Sequence, residues 1–183
     1  ELGQIAGRAG RYENNGTFSL LKNAGELDIK TIQNIEDSNF DSINKIYWRN
    51  SNLDFTSVDN FLNSLKTFPV HSYFIHKKNA VDELNFRNLI DDLSIKKLLT
   101  SNYRIKLLWD VCRIPDFQKL FNDTYLQLLK TIFLLLVKND QIPKPWLEKN
   151  IIGLQKFNGG IEELSLKISQ IRTWTYISNH QNW

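Results

Sequence analysis

DFQKLFNDTYLQLLKTIFLLLVK, residues 116–138, is the stretch of sequence that decides the fold. Its apolar residues fall on so many sides of a helix that we expect the longest helix here, at the centre of a domain. The most apolar part, residues 125–137, is interrupted by Gln127 and Lys130. It is also well short of the ~20 apolar residues that a membrane span needs, so no membrane partner is expected.

Capping residues and apolar spacing predict further helices on both sides of this segment. The predicted starts are Asp28, Thr56 or Ser57, Asn79, Ser101 or Asn102, and Pro143 with Pro145. The predicted ends are Asp37, the residues before Pro69, Leu99 (with a break near Asp91, Asp92 and Ser94), the residues before Pro115, and Leu154. The bulk of the chain is therefore predicted to be an all-α domain.

A last helix is predicted after Gly159 and Gly160. One apolar stripe recurs along it at alternating spacings of three and four, which predicts that this stripe packs on the bundle. The stripe consists of Ile161, Leu164, Ile168, Ile171 and Trp174.

The first residues differ in character from the rest of the chain. Residues 1–21 hold four of the eight glycines and little helical periodicity. Gly16 predicts a tight turn that leads into a short strand with Phe18, Leu20 and Leu21. We therefore predict a mainly α protein in which residues 26–183 form a helix bundle and residues 1–25 are the edge of an α/β domain.

The composition is that of an ordinary globular protein. The 183 residues carry a formal net charge of +3, which permits a polyanionic partner without requiring one. Cys112, the single cysteine, lies in an apolar stretch and has no second cysteine to pair with. It is interpreted as a buried small hydrophobic residue in a protein of a reducing compartment.

The octet QIAGRAGR, residues 4–11, is difficult to explain by packing. If it begins a helix, Arg8 and Arg11 are three residues apart and share a face, so both guanidinium groups can reach one anion. Gly7 and Gly10 leave that face bare, although glycine costs about 1 kcal/mol inside a helix. The pattern indicates close approach to a triphosphate or to another backbone, whereas the alternative is a glycine-rich surface turn with solvated arginines.

The octet resembles motif VI of the superfamily-two helicases, in the form typical of the mitochondrial degradosome RNA helicase and its bacterial relatives. Further blocks of the chain are similar to that family as well, so the likeness spans nearly the whole sequence. These blocks are NGTF (15–18), YWRN (47–50), LDF (53–55), LWDVCRIPDF (108–117) and IRTWTYI (171–177).

This resemblance implies an ATP-dependent motor in which two RecA-like domains hold ATP and Mg²⁺ between them. Arg8 and Arg11 match the arginines that the second domain supplies as catalytic fingers, and Gln4, Gly7 and Gly10 complete its ATP-binding motif. Residues 26–183 match the family's helical C-terminal domain, beside the nucleic-acid channel. Expected partners are RNA or DNA and the remaining RecA-like domains, while a nuclease partner is left open. The expected compartment is the bacterial cytoplasm, with the mitochondrial matrix as the alternative.

Other parts of a motor are not present in the sequence. No glycine is followed by Lys and Ser or Thr, so there is no phosphate-binding loop. Asp82 and Glu83 follow lysines rather than a buried strand, and are interpreted as an ordinary helix start. The chain also lacks methionine and begins within the motif, so we expect it to be a fragment that does not hydrolyse ATP alone.

The remaining signals favour structural roles. Trp48, Trp109, Trp146 and Trp174 are interpreted as core residues rather than base-stacking platforms, since each has apolar neighbours at helical spacing. The three histidines show no metal-ligand spacing. Solvated helix faces are at least as good an explanation as phosphate contacts for the basic residues Lys77, Lys78, Lys96, Lys97, Arg104 and Lys106. The alternative function is a stand-alone helical adaptor that binds proteins.

Overall fold

The computed structural model describes residues 2–9, 16–20, 25–40, 42–78, 80–116, 123–152, 154, 160–180 and 183. The chain divides into two compact units, Glu1–Ile46 and Tyr47–Trp183. Helices dominate the described residues, with one small parallel two-stranded sheet, so the predicted mainly α class is confirmed. Among these residues there is no helix of the length and apolarity needed to cross a membrane. The predicted division after residue 25 concerns the domains of a larger helicase and stays a prediction.

The first unit contains helices α1 (Leu2–Ala6) and α2 (Ile29–Glu36), which contact each other. Asp28 caps α2 as predicted, because its carboxylate accepts a hydrogen bond of 2.9 Å from the Thr31 backbone N–H. The strand predicted from Phe18 is not formed within the described residues 16–20. A strand needs a neighbour for its backbone hydrogen bonds, and none of the described strands pairs with this segment.

The remaining elements follow in chain order as two short strands and seven helices among the described residues. They are β1 (Ile46–Trp48), α3 (Val58–Leu65), β2 (Phe74–His76), α4 (Val81–Ile90), α5 (Leu93–Lys96), α6 (Asn102–Cys112), α7 (Asp123–Asn139), α8 (Lys144–Ile152) and α9 (Ile161–Ser178).

Side-chain caps start three of these helices at predicted positions. Ser57 Oγ accepts from the Asn60 N–H at 3.1 Å, and Ser101 Oγ accepts from the Arg104 N–H at 3.4 Å. Asp92 caps α5 at the predicted break, where its carboxylate accepts from the Ser94 N–H at 2.8 Å. Each cap satisfies a backbone donor that the helix itself leaves free, which is why the sequence locates these starts well.

Strands β1 and β2 were not predicted, and they make the second unit more than an all-α bundle. They pair side by side, and the Lys77 N–H donates to the Trp48 carbonyl at 3.0 Å beyond the end of β2. Each strand is only three residues long, so neither offers the alternation over four or more residues by which a strand is recognised.

Helix α7 lies in the hydrophobic core as predicted, together with α4 and α6. Its start was predicted too early, since Asp116 is not helical and residues 117–122 lie outside the described residues. It is also not the longest described helix, because α7 has 17 residues and α9 has 18. The fully or nearly fully buried side chains that α7 contributes are Leu129, Ile132, Phe133 and Leu136.

The prediction that the apolar stripe of α9 packs on the bundle is mostly wrong. Leu164, Ile168 and Ile171 are exposed, whereas Thr173 and Ile177 are the buried side chains among those described on this helix. The Thr173 hydroxyl can be placed there because it donates to the Pro115 carbonyl at 3.3 Å and to the Ser169 carbonyl at 3.2 Å. Thr173, a polar residue, is therefore buried because of its hydrogen bonds. The spacing of apolar residues cannot predict burial of this kind.

Trp174 is the one described member of the stripe that packs against the core. It is half-buried, and its ring lies 5.5 Å from the ring of Trp146 in an edge-on arrangement. The side chain of Ile161 lies outside the described part of the chain.

Cys112 is buried at 1% exposure, as predicted, and burial raises the pKa of its thiol well above the usual range. Its carbonyl accepts a hydrogen bond of 3.2 Å from Asn85 Nδ2, and Asn85 is itself fully buried on α4. This bond ties α4 to the end of α6. The thiol is thus a core group rather than a nucleophile.

An ion pair between Asp92 and Lys130 is expected to make stability fall in acid. The Lys130 ammonium holds the pKa of the Asp92 carboxyl well below its ordinary value of 3.8, helped by hydrogen bonds from Ser94. A carboxyl with a lowered pKa stabilises the fold above that ordinary value and loses this effect as pH falls below it. In Lys130→Met, stability should therefore fall less steeply below pH 3.8 than in the unaltered protein. The measurement is the urea concentration at the unfolding midpoint as a function of pH.

Lys144→Met is the matched control, since Lys144 is exposed and lies 3.9 Å from Glu148 on the surface of α8. Exposed pairs of this kind contribute little, so its acid profile should follow that of the unaltered protein. An unchanged profile for Lys130→Met would contradict the assignment of this ion pair.

Candidate functional site

Within the described part of the octet, residues 4–9, a helix ends rather than begins. Helix α1 ends at Ala6, and residues 7–9 form a turn closed by hydrogen bonds from the Gly7 N–H to the Gly3 carbonyl (2.9 Å) and from the Ala9 N–H to the Ala6 carbonyl (2.9 Å). Gln4 and Arg8 are both exposed and stand four residues apart, so they point to one side of this helical turn.

The glycines of this segment differ in how closely other atoms approach them. A Cβ placed on Gly7 would lie 3.1 Å from the Gly3 carbonyl oxygen, which is a tight contact with backbone. A Cβ on Gly3 would overlap the ring of Phe40 at 2.4 Å, so Gly3 allows this ring to lie against α1. Gly7 itself is exposed.

Arg8 has an exposed side chain that makes no hydrogen bond or ion pair with any part of the chain that the structure describes. Its side chain is therefore accessible from solvent. Gly10 and Arg11 lie outside the described residues. The prediction that Arg8 and Arg11 act on one anion consequently stays a prediction.

Three of the blocks that carry the helicase resemblance meet in the second unit. The guanidinium carbon of Arg49 lies 5.5 Å from the centre of the Trp109 ring, and Arg49 Nη1 donates to Asp82 at 2.7 Å. In the same 108–117 block, the Pro115 carbonyl accepts the hydrogen bond from Thr173, which belongs to the 171–177 block. The blocks thus hold the unit together through direct contacts.

The rest of the 47–55 region is anchored on α3. Asn50 Nδ2 donates to the Ser64 carbonyl at 2.8 Å, and the Phe55 ring stacks on Phe61 with centroids 5.2 Å apart. The amide of Asn50 also closes a local turn with Asn52. These contacts explain the residue types of the block by folding alone, without a ligand.

A cavity of about 390 Å³ opens beside Arg49. Arg49 Nη2 is buried there without a hydrogen-bond partner in the structure. The cavity wall mixes charges of both signs, so it offers no clear preference for a cation or an anion. The charged residues that line it are Arg49, Lys77, Asp82, Arg113 and Asp116.

Asp82 and Glu83 behave as the first turn of a helix, as predicted. Asp82 pairs with Arg49, and Glu83 accepts from Arg87 one turn later on α4 at 2.8 Å. Both carboxylates therefore have cationic partners of their own. No group of three or more His, Cys, Asp or Glu side chains suited to a metal ion is present among the residues whose positions are described.

Three of the four tryptophans follow their structural interpretation. Trp109 is buried among Phe61 and Phe86, and Trp146 and Trp174 are half-buried against the core. Trp48 does not, because it is half-buried, lies in strand β1 rather than at helical spacing, and is not among the residues of the core cluster.

Two of the histidines also have structural contacts. His76 Nε2 is 2.9 Å from the Leu65 carbonyl, and the His180 ring stacks on Trp183 at 3.8 Å. Burial lowers the pKa of His180. Neither contact resembles a metal site.

Sequence reasoning missed a group of exposed rings beside the small sheet. Tyr47, Phe68 and Tyr73 are 74%, 70% and 70% exposed. The available signal was charge, because residues 66–80 contain three lysines and no Asp or Glu. Apolar residues mixed with lysines alone are typical of a solvent-facing surface.

A scan against protein-family models and searches of curated proteins and of solved structures each found no match. The helicase resemblance therefore rests on the octet and the blocks quoted above.

Proposed function

We propose that this chain is the C-terminal part of an ATP-dependent nucleic-acid helicase, acting on RNA. The single observation that supports it most is the octet at residues 4–11, whose described arginine, Arg8, is exposed and unpaired within the described residues. A glycine at the end of a short helix is explained by folding, because glycine is common at helix ends. Recognition of a triphosphate accounts for the arginines of the octet, since guanidinium forks suit phosphate oxygens.

In this function the chain provides arginines to an ATP site held mainly by other domains. ATP with Mg²⁺ supplies the phosphoryl group whose transfer to water drives such a motor. Gln4 and Arg8 lie on one side of the α1 turn, where both can face a nucleotide, and Arg11 is proposed to act beside them.

The arginines are proposed to stabilise negative charge as it develops during phosphoryl transfer. A fixed guanidinium is more effective on the transition state than on bound ATP, because charge moves toward it as the bond to the leaving oxygen breaks. The Tyr47–Trp183 unit is proposed as the helical platform beside the strand. Its core of α4, α6 and α7 supplies a rigid support for surface residues.

One observation favours the second candidate, a helical adaptor that binds proteins. Helix α9 exposes Leu164, Ile168 and Ile171, and a cavity of about 460 Å³ that includes Ile171 opens between α8 and α9. Exposed apolar side chains in a row are common at protein interfaces. They do not explain the octet, so the helicase proposal is preferred.

The reading frame upstream of Glu1 distinguishes the two functions. If the chain belongs to a motor, that frame encodes a Gly-rich phosphate loop with Lys and Ser or Thr, followed by an Asp-Glu motif, within about 400 residues, the length of two or three domains. Sequencing the source locus tests this directly. A start codon immediately before Glu1 would refute the motor and favour the adaptor.

A further inference from the structure

The small sheet of the second unit presents aromatic rings to solvent. Tyr47 is the middle residue of β1, Tyr73 immediately precedes β2, and Phe68 lies in the segment that leads to it. Their exposures of 74%, 70% and 70% are high for rings of this size. Single exposed apolar residues are ordinary, but several gathered at one place mark a surface that binds something.

Contacts within the unit place the segments that carry these rings next to one another. The His76 ring of β2 lies 5.3 Å from the Phe68 ring, and His76 Nε2 is 2.9 Å from the Leu65 carbonyl at the end of α3. Strand β1 pairs directly with β2. The end of α3, Phe68 and both strands therefore adjoin one another through contacts with β2.

The segments that carry these rings are themselves basic. Residues 47–53 and 66–80 contain four Lys or Arg residues and no Asp or Glu. Arg49 is neutralised by Asp82 at 2.7 Å, while the other three are exposed lysines that form no ion pair within the described chain. Lys66 caps the end of α3, and Lys77 and Lys78 directly follow β2.

We propose that this surface, the aromatic-basic patch, binds single-stranded nucleic acid. Bases stack on the exposed rings, and the lysine ammonium groups contact the phosphates between them. Rings stack on any base and lysines read only charge, so the binding is independent of sequence. The patch consists of Tyr47, Phe68, Tyr73, Lys66, Lys77 and Lys78.

This inference rests on the proposed function, since it locates where the strand is held by the helical platform. An open sheet edge can also bind a strand of another protein. The positive charge of the lysines favours a polyanion over such a strand. Lysines beside an edge strand discourage such pairing, because a docked strand would remove water from their charges. The experiment therefore has to distinguish binding of nucleic acid from association with protein.

The test is titration of the 183-residue chain into a fluorescent oligouridylate of about 12 nucleotides, followed by anisotropy at rising KCl. Tyr47→Ala and Tyr73→Ala should each weaken binding roughly five- to a hundredfold, because stacking on that ring is lost. Tyr47→Phe and Tyr73→Phe should bind within about twofold of the unaltered chain, since the ring is kept. Tyr103→Ala is the matched control, because Tyr103 is 63% exposed but lies on α6.

The lysines are tested by the dependence of affinity on salt. Lys77→Gln with Lys78→Gln should reduce the slope of log affinity against log salt by about 1.4, which is two phosphate contacts on a single strand. Lys96→Gln with Lys97→Gln, an equally exposed pair at α5, should leave the slope unchanged. Equal losses from both pairs would mean that only overall charge matters, and would overturn the patch.

Two further results would also overturn the proposal. One is wild-type affinity in the Tyr47→Ala and Tyr73→Ala variants. The other is no oligouridylate binding by the unaltered chain at low salt, together with self-association in sedimentation that these two substitutions abolish. Neither result bears on ATP hydrolysis by the longer protein, which depends on Arg8 and Arg11, so failure of the patch and failure of the helicase proposal are distinguishable.

Discussion

Replacement of Arg11 by alanine in the intact motor is expected to lower ATP turnover by about 10³-fold or more. ATP affinity should change far less, because the guanidinium group acts mainly on charge that develops in the transition state. Arg8→Ala should act in the same direction, and the exposed position of Arg8 at the end of α1 leaves it free to reach an ATP site. Steady-state ATPase measurements, with nucleotide affinity determined separately, give both quantities.

Lysine at either position should not restore turnover. An ammonium group keeps the charge but cannot form the two parallel hydrogen bonds of a planar guanidinium, so this substitution separates geometry from charge. Arg104→Ala is the control, since Arg104 lies on α6, outside the octet. Its turnover without nucleic acid should be nearly normal. Near-normal turnover of Arg11→Ala would remove the basis for the helicase proposal.

Replacement of Trp109 by alanine should lower the free energy of unfolding of the second unit by about 3–5 kcal/mol. Trp109 is only 5% exposed, and its ring lies 5.0 Å from that of Phe61 and 6.2 Å from that of Phe86. The substitution leaves a cavity among these rings. It also removes the ring beneath the Arg49 guanidinium, which keeps its ion pair with Asp82 but loses its packing.

Equilibrium unfolding in urea, followed by circular dichroism, measures this loss. Trp109→Phe should cost less than Trp109→Ala because an aromatic ring remains, and it gives a measurable variant if the alanine form does not fold. Tyr103→Ala is the control, because Tyr103 lies on the same helix, α6, but on its exposed side. This substitution should change the free energy of unfolding by no more than about 0.5 kcal/mol. A decrease in the free energy of unfolding of less than about 1 kcal/mol for Trp109→Ala would show that the rings of Phe61, Phe86 and Trp109 do not form a single core.

Helix starts were predictable from the sequence because they depend on local chemistry. Asp28, Ser57, Asp92 and Ser101 each satisfy a backbone N–H two or three residues ahead, within the reach of a short side chain. Burial of Cys112 was predictable for a similar reason, since its apolar neighbours on α6 already define a buried segment.

The local geometry of the octet could not be predicted from the sequence. The sequence left open whether the octet begins a helix or forms a glycine-rich surface turn, and in the structure α1 ends within it at Ala6. A helix end depends on where hydrogen bonds stop, which two glycines make difficult to predict.

Only the tertiary structure decided which apolar side chains are buried and which are exposed. Spacing selected Leu164, Ile168 and Ile171 as the inner face of α9, yet Thr173 and Ile177 are buried because the neighbouring elements reach that side. Strands β1 and β2 pair with each other although α3 lies between them in the sequence. In the paired strands, Tyr47 is exposed to solvent. The sequence by itself determined the helical class and several helix starts, because both depend on neighbouring residues. The exposed faces depend on contacts between segments far apart in the chain, and spacing along one segment carries no information about them.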